Sequence, residues 1–460
     1  MRRDGSETVQ CTQFRFLPLR RGLCQGVLRA TGAADHRDPG LSTLSQLDDF
    51  NMMNVDTMRF LDRYVGLPLC WCLSLLRLLP RLFGRTTLPT PRKILIIKLS
   101  EMGSTVLAYP AITALEERVP GLELWALTFE PNRAILETLT PPERVLAIDV
   151  SSAPRMLLSL VKMLRRLRRE RIDTTIDMDF FSRLCAILAF LVCRGNRVGF
   201  HRFTGEGLGR GRLLTHPVAY SPHVHTAAAF MALVEALLAP DRQGLNTRMA
   251  IRTEGLRIPL YRPSWSAREA IRGRLAEAGI DMTSAETRVV LINPNSSDLF
   301  PLRRWPLASF AELSLRLLQE HEDVRLVITG TASEQADARV ILDRVQSPSS
   351  VSLAGRTTFL ELLALYSEAR CMVTNDSGPA HFATLLRLPT VVLFGPETPA
   401  LYGPLSPHAR CLYRHFACSP CVSVYNAKKS PCTRSLCLEA ITVDEVLSHV
   451  REILAAPPPG

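Results

Sequence analysis

Near the C-terminal end of this 460-residue chain, the run Asp376-Ser-Gly-Pro-Ala-His381 brings together a carboxylate, a hydroxyl and an imidazole. It follows the apolar run Cys371-Met-Val-Thr374, which reads as a short buried strand, and it opens onto residues that read as a helix start. Pro379 suits the first helical position, because its missing N–H is one the helix leaves unpaired anyway. Gly378 lets the backbone approach a ligand closely, and Ser377 offers a hydroxyl in the capping turn. The free N–H groups and the positive end of the helix dipole favour a phosphate or diphosphate there. Asp376 and His381 flank that pocket and can hold a ribose or a phosphate. Taken alone, the turn fits equally well an ordinary strand-to-helix connection with a capping serine and a core histidine.

A second chemical signal is Cys418, Cys421, Cys432 and Cys437, spaced C-x2-C-x10-C-x4-C. The first pair has the spacing of a metal knuckle and the second is looser. Two readings stand: a structural zinc or iron site, or reduced structural thiols. His223 and His225 have ligand-like spacing, but a pair at a helix start explains them as well.

These groups need rigid elements to hold them. From Arg92 onward, apolar runs alternate with helical patterns. Expected strands are 93–99, 122–129, 145–150, 172–178 and 198–200, then 289–293, 324–330, 351–353, 371–374 and 391–394. Runs that are apolar throughout suit a parallel sheet covered on both faces. The reading is therefore α/β: two Rossmann-like, doubly wound domains facing a central cleft, with ligands at the strand C-terminal ends. The expected divisions are a disordered extension at 1–51, an amphipathic helix at 52–90 and an N-terminal domain at 91–240. A linker at 241–287, a C-terminal domain at 288–440, and a helix and tail at 441–460 follow.

Hydrophobic residues at 47% can fill two such cores, and the net charge of +11 points to anionic partners. No recognition motif supports nucleic acid. Twelve cysteines without a secretory signal suit a reducing compartment. Residues 65–83 are apolar but interrupted by Arg77 and two prolines, short of the ~20 a spanning helix needs. With Trp71 and Arg63, Arg77, Arg81 and Arg85, this stretch reads as a helix on an anionic membrane surface, or as one docked on the protein itself.

Four ordered segments resemble the family 9 glycosyltransferases, the ADP-heptose:lipopolysaccharide heptosyltransferases and their relatives. They are Lys93-Ile-Leu-Ile-Ile-Lys-Leu-Ser-Glu-Met-Gly-Ser-Thr-Val-Leu107, Asn293-Pro-Asn-Ser-Ser297 leading to Arg303-Arg-Trp-Pro306, Ala369 to Pro399, and the cysteine tail. The resemblance implies a GT-B fold and a bacterial, metal-independent inverting transferase on the cytoplasmic face of the inner membrane. Its partners would be a nucleotide-sugar donor and an anionic glycolipid or glycan acceptor.

The resemblance assigns Asp376, Ser377, Gly378 and His381 to the donor diphosphate and ribose. Arg303 stands where the family has a basic residue for the phosphates. Ser296 and Ser297 would offer hydroxyls, and Glu334 faces the ribose or base unless it only serves a helix start. The family places its base, an Asp, directly after the Met-Gly of the first strand–helix turn; here that position is Ser104. Glu101 is the nearest carboxylate and the expected base, with Asp177 or Asp179 as alternatives. The acceptor would meet an Arg/Gly/His loop containing Arg197, His201, Arg202, Arg210 and Arg212, and the last helix would return to the first domain.

Overall fold

In the computed structural model, the described residues are 55–77, 89–180, 182–203, 206–207, 209–239, 251, 253–284, 286–296, 300–423 and 429–457. The expectations for residues 1–51, Ser297, Arg81 and Arg85 fall outside them.

The first sheet contains β1 (Lys93–Ile97), β2 (Glu123–Phe129), β3 (Val145–Ile148), β4 (Thr174–Asp177), β5 (Asn196–Phe203), β6 (Glu206–Gly207) and β7 (His216–Tyr220). Its order is β3-β2-β1-β4-β5-β6, with β7 also pairing to β5. The pairings are parallel except β5 with β6. The second sheet contains β8 (Arg288–Asn293), β9 (Val324–Ile328), β10 (Ser350–Ser352), β11 (Ala369–Asn375), β12 (Thr390–Phe394) and β13 (Ala409–Tyr413). Its order is β10-β9-β8-β11-β12-β13, parallel throughout.

Each sheet is buried on both faces, as its apolar runs require. In β1, Ile94 and Ile96 join a core with Leu107 and Phe230, while Leu95 and Ile97 join another with Leu127 and Leu188. In β8, Val290 and Ile292 pack with Phe310 and Leu317, and Val289 and Leu291 pack with Leu365 and Phe382. That last core also takes Val106, Tyr109 and Ile135 from the first lobe, so the lobes share apolar contact beside the cleft.

Both strand orders reverse direction, between β1 and β4 in one lobe and between β8 and β11 in the other. Open α/β sheets bind ligands at such switch points, outside the strand C-terminal ends. The loops after β1, β4, β8 and β11 carry the candidate residues.

One expectation about the ends changes. The helix Val443–Ala455 does not return to the first domain. Its apolar stripe, Val446, Leu447, Val450, Ile453 and Leu454, completes the core of the second sheet. Arg451 pairs with Glu320, and Arg288 donates to the Leu454 carbonyl at 3.2 Å. Near the N-terminus, Val55–Leu61 and Leu67–Arg77 are helices joined by a π-helical turn at Asp62–Gly66. They dock on the first lobe. Asp62 accepts from the backbone N–H of Arg183 (2.7 Å) and Leu184 (3.0 Å), closing the N-terminus of the helix Arg183–Val192. Cys70 is buried, and Ser74 accepts from the Arg212 N–H at 2.8 Å. Phe60, Tyr64, Val65, Trp71 and Leu75 remain more than half exposed, so docking leaves an apolar outer face. No helix among the described residues is long and apolar enough to cross a membrane.

Candidate active site

The first-lobe side of the site starts at Lys98, the one charged residue at the end of a continuous apolar strand. Lys98 is 1% exposed, and its Nζ lies 3.2 Å from Asp179 Oδ1. The Asp179 carboxylate also accepts from the Leu99 N–H at 2.7 Å and the Ser100 hydroxyl at 3.2 Å. Lys98 donates in turn to the Ser100 carbonyl. A buried charge is tolerated only when paired and hydrogen-bonded, and this pair pins the loop after β1 on three sides.

Behind it, Asp177 pairs with Arg210 at 2.9 Å, both fully buried. Arg210 also donates to the carbonyls of Asp179 (2.6 Å) and Phe200 (3.0 Å). Burial raises the Asp177 carboxyl to about 7, against the pull of Arg210 and with the help of Asp179. Arg210 therefore cannot meet an acceptor, contrary to the sequence expectation: it is spent on holding two aspartates. Arg197 is likewise buried, donating to the carbonyls of Leu213 (2.6 Å) and Cys193 (2.9 Å). Arg202 and Arg212 stay exposed. Asp177 and Asp179, the alternative bases, are both committed to these internal pairs.

Glu101 ends the pinned loop with φ 62° and ψ 84°, the left-handed region that a non-glycine residue enters only under constraint. Its side chain is exposed. Ser104 donates to Glu101, with its hydroxyl 3.0 Å from the carbonyl and 3.2 Å from Oε2. The serine that replaces the expected acid thus aims a glutamate from the same turn. Gly103 is required by close approach: a Cβ there would sit 2.9 Å from the His381 ring and 3.1 Å from the Gly378 Cα. This is where the helix Met102–Arg118 of one lobe meets the helix Gly378–Thr384 of the other.

On the second lobe, Asn375 links the loops after β8 and β11. It donates to the Pro294 carbonyl at 2.7 Å and accepts from the Trp305 N–H at 2.9 Å. Trp305 is buried, with its indole N–H on the Ile441 carbonyl at 3.0 Å. Arg304 holds the Ser296 carbonyl at 2.7 Å. Arg303 is thereby turned toward Asp376, Nη1 to Oδ2 3.8 Å. Around this pair, several buried polar atoms make no hydrogen bond: both side-chain atoms of Asn295, the Ser296 hydroxyl, Arg303 Nε and His381 Nδ1. Buried polar groups are nearly always satisfied, so a cluster of exceptions marks a place for a polar ligand.

His381 is 6% exposed. Burial, with His225 and Arg303 nearby, lowers its imidazole to about 3, against a weaker opposing pull from Glu101. It is therefore neutral at physiological pH and works as a hydrogen-bonding group. His225 caps the helix Thr226–Leu238 by accepting from the Ala227 N–H at 3.2 Å. Its Nε2–H donates to the Gly403 carbonyl at 2.9 Å, tying the two lobes together.

Two expectations need correction. Ser377 does not cap its helix; its hydroxyl turns back to the Asn375 carbonyl at 3.3 Å, and Gly378 rather than Pro379 is the first helical residue. Glu334 forms a capping box with Thr331, accepting from the Thr331 N–H at 2.7 Å, which is the helix-start role. Cys418 and Cys432 are exposed, Cys421 Sγ lies 3.5 Å from the Ser430 hydroxyl, and Cys437 Sγ lies 3.6 Å from that of Ser435. No three His, Cys, Asp or Glu side chains converge as metal ligands among the described residues. Lys98, Asn295, Arg304 and the His225 tie escaped sequence reasoning; only Lys98 had a visible signal, as a charge ending an apolar strand.

The family described as glycosyltransferase family 9 (heptosyltransferase) matches residues 160–430, more than half of the chain. Lipopolysaccharide heptosyltransferase 2 of Salmonella typhimurium is 29% identical over 151 residues, 32% of this chain and 43% of that protein. The matches to the Escherichia coli and Campylobacter jejuni heptosyltransferases span 32–51% of those proteins, so the chain aligns with about half or less of these relatives. Lipopolysaccharide core heptosyltransferase OpsX of Haemophilus influenzae is 23% identical over 68% of this chain and 82% of its own. In fold, the chain resembles the E. coli ADP-heptose lps heptosyltransferase II, with a TM-score of 0.59 at 21% identity over 79% of this chain and 98% of that one. A family 9 glycosyl transferase from Veillonella parvula gives a TM-score of 0.60 at 19% identity over 79% and 97%. Two doubly wound sheets in the GT-B arrangement, a polar cleft at both switch points, and a family match across more than half the sequence agree: this chain belongs to glycosyltransferase family 9.

Proposed function

We propose that this protein is an inverting glycosyltransferase that moves heptose from ADP-heptose onto a lipopolysaccharide core or other anionic surface glycan. The observation that carries the reading is the cluster of unpartnered buried polar atoms at Asn295, Ser296, Arg303 and His381, facing the Glu101–Ser104 pair across the cleft. The donor diphosphate would take those bonds, with Arg303 meeting the charge that grows on the leaving ADP. Glu101 removes the proton of the acceptor hydroxyl. The new oxygen–carbon bond forms at the anomeric carbon as its bond to the diphosphate breaks, and ADP departs. ADP as the nucleotude rests on the relatives, among them an E. coli heptosyltransferase solved with ADP.

Exposed Phe60, Tyr64, Trp71 and Leu75 beside Arg63, with the exposed arginines 165, 166, 168 and 169, support contact with an anionic membrane surface on the cytoplasmic side. Arg202 remains the acceptor-side candidate.

Calorimetric titration with ADP, UDP, GDP and their sugar conjugates tests the donor. Preference for ADP and ADP-heptose is expected. Preference for UDP or GDP keeps the reaction and discards heptose; no binding by any of them moves a non-catalytic role to the front.

A further inference from the structure

At the opposite ends of β11 and β12 from the donor cleft, the second lobe has another concavity. It holds about 460 Å³ and is lined by Tyr261, Arg262, Arg268, Tyr366, Arg370 and Arg387, among others. Among the described residues, none of its lining is Asp or Glu. Four arginines, Arg262, Arg268, Arg370 and Arg387, line it with no acidic side chain among the described lining residues, at the N-terminal ends of strands whose C-terminal ends carry Asn375 and Asp376. Over the seven residues of β11 the two sites stand roughly 20 Å apart.

Three features distinguish this place from a solvated patch of positive charge. Tyr366 is 1% exposed, and its hydroxyl has no hydrogen-bond partner. Burial also raises its phenol well above the ordinary value, so it stays a donor. Arg268 Nε is buried and equally unpartnered. Finally, Arg387 follows the helix Gly378–Thr384 with φ 54°, a left-handed position that usually goes to glycine or asparagine. The backbone there accepts strain, and the residue it carries is an arginine that lines the concavity. Arg370 is partly spent, donating to the Ile453 and Ala456 carbonyls, which fixes it in the wall.

We propose that this concavity is a second anion site, built for a phosphoryl group. Guanidinium forks match the several oxygens of a phosphate dianion, and a buried phenol adds a directed donor. The space exceeds what inorganic phosphate fills, so the ligand carries more than its phosphate. A soluble phosphorylated metabolite and a lipid phosphate share this chemistry. The inference does not depend on what the cleft binds.

The test is calorimetry of inorganic pyrophosphate with the full chain and three variants. In Arg303→Ala, which cripples the cleft, pyrophosphate binding should persist. Adding Arg268→Ala should weaken that remaining binding at least tenfold. Tyr366→Phe keeps the ring in its core, and should weaken it severalfold while leaving the melting temperature equal or higher. ADP affinity should be the same in Arg268→Ala as in the natural protein. Binding that disappears with Arg303→Ala alone, survives Arg268→Ala, or is absent at millimolar pyrophosphate overturns the proposal. Flotation with phosphatidylglycerol vesicles then separates the sources: Arg268-dependent flotation assigns a lipid phosphate, and its absence with pyrophosphate binding retained assigns a soluble one.

Discussion

In the proposed reaction, Glu101 and Ser104 absorb a departure from a familiar motif one turn away. Ser104 cannot take a proton unaided, but its hydroxyl fixes a carboxylate that can. Glu101→Gln should abolish transfer and leave ADP affinity unchanged in calorimetry; full activity would remove Glu101 as the base. Ser104→Ala should lower kcat by about tenfold with little change in donor KM, since it frees the base rather than deleting it. His381 gives a pH signature. Its folded value of about 3 lies below the ordinary 6.5, so the unfolded chain binds the extra proton in between. The stability contributed by keeping it neutral is complete above 6.5 and is lost progressively as pH falls toward 3. Melting curves from pH 7 to 4.5 should fall less steeply in His381→Gln. At this scale the sequence showed which residues mattered through their types, but not their partners. Arg210 looked like a surface cation because its glycine neighbours suggest an open loop; only the fold puts it on Asp177.

Among the elements, the strands nearest the site were legible because both of their faces are buried. β1, β8, β11 and β12 are continuous apolar runs ending in polar residues, which is where the switch-point loops begin. β7 and β13 lie toward the margins of their sheets and carry His216, Pro217, Ala409 and Arg410, so no apolar run announced them. The helix Thr226–Leu238 is apolar on nearly every face, which leaves no 3.6-residue periodicity to read. The lobe-to-lobe helix contact at Gly103 was invisible for another reason: nothing local specifies what a glycine will touch. Gly103→Ala should cost about 1–3 kcal/mol by overpacking His381 and the Gly378 backbone, read as a lower melting temperature with weakened ADP binding.

For the molecule as a whole, the doubly wound pattern predicted two lobes and a cleft, and alternation alone was enough for that. Where the last helix docks was not legible, because an amphipathic stripe fits either lobe and only the complementary gap beside β11 and β12 decides. The net charge of +11 gains a location in the exposed arginines beside the apolar N-terminal helices. Replacing Trp71 and Leu75 with serine should reduce flotation with phosphatidylglycerol vesicles severalfold while leaving ADP binding intact. Unchanged flotation would detach the N-terminal helices from the membrane.

Those helices also reach the chemistry from behind. Ser74 and Arg77 grip the backbone of residues 212–214, directly after Arg210, and a Cβ on Gly211 would strike Ser74. Arg210 holds Asp177 and Asp179, Asp179 holds Lys98 and Ser100, and Ser100 precedes Glu101. The N-terminal segment is thus a buttress for Glu101, the proposed base. A shortened protein beginning near residue 90 would keep both sheets and the whole donor pocket, bind nucleotide normally, and turn over poorly.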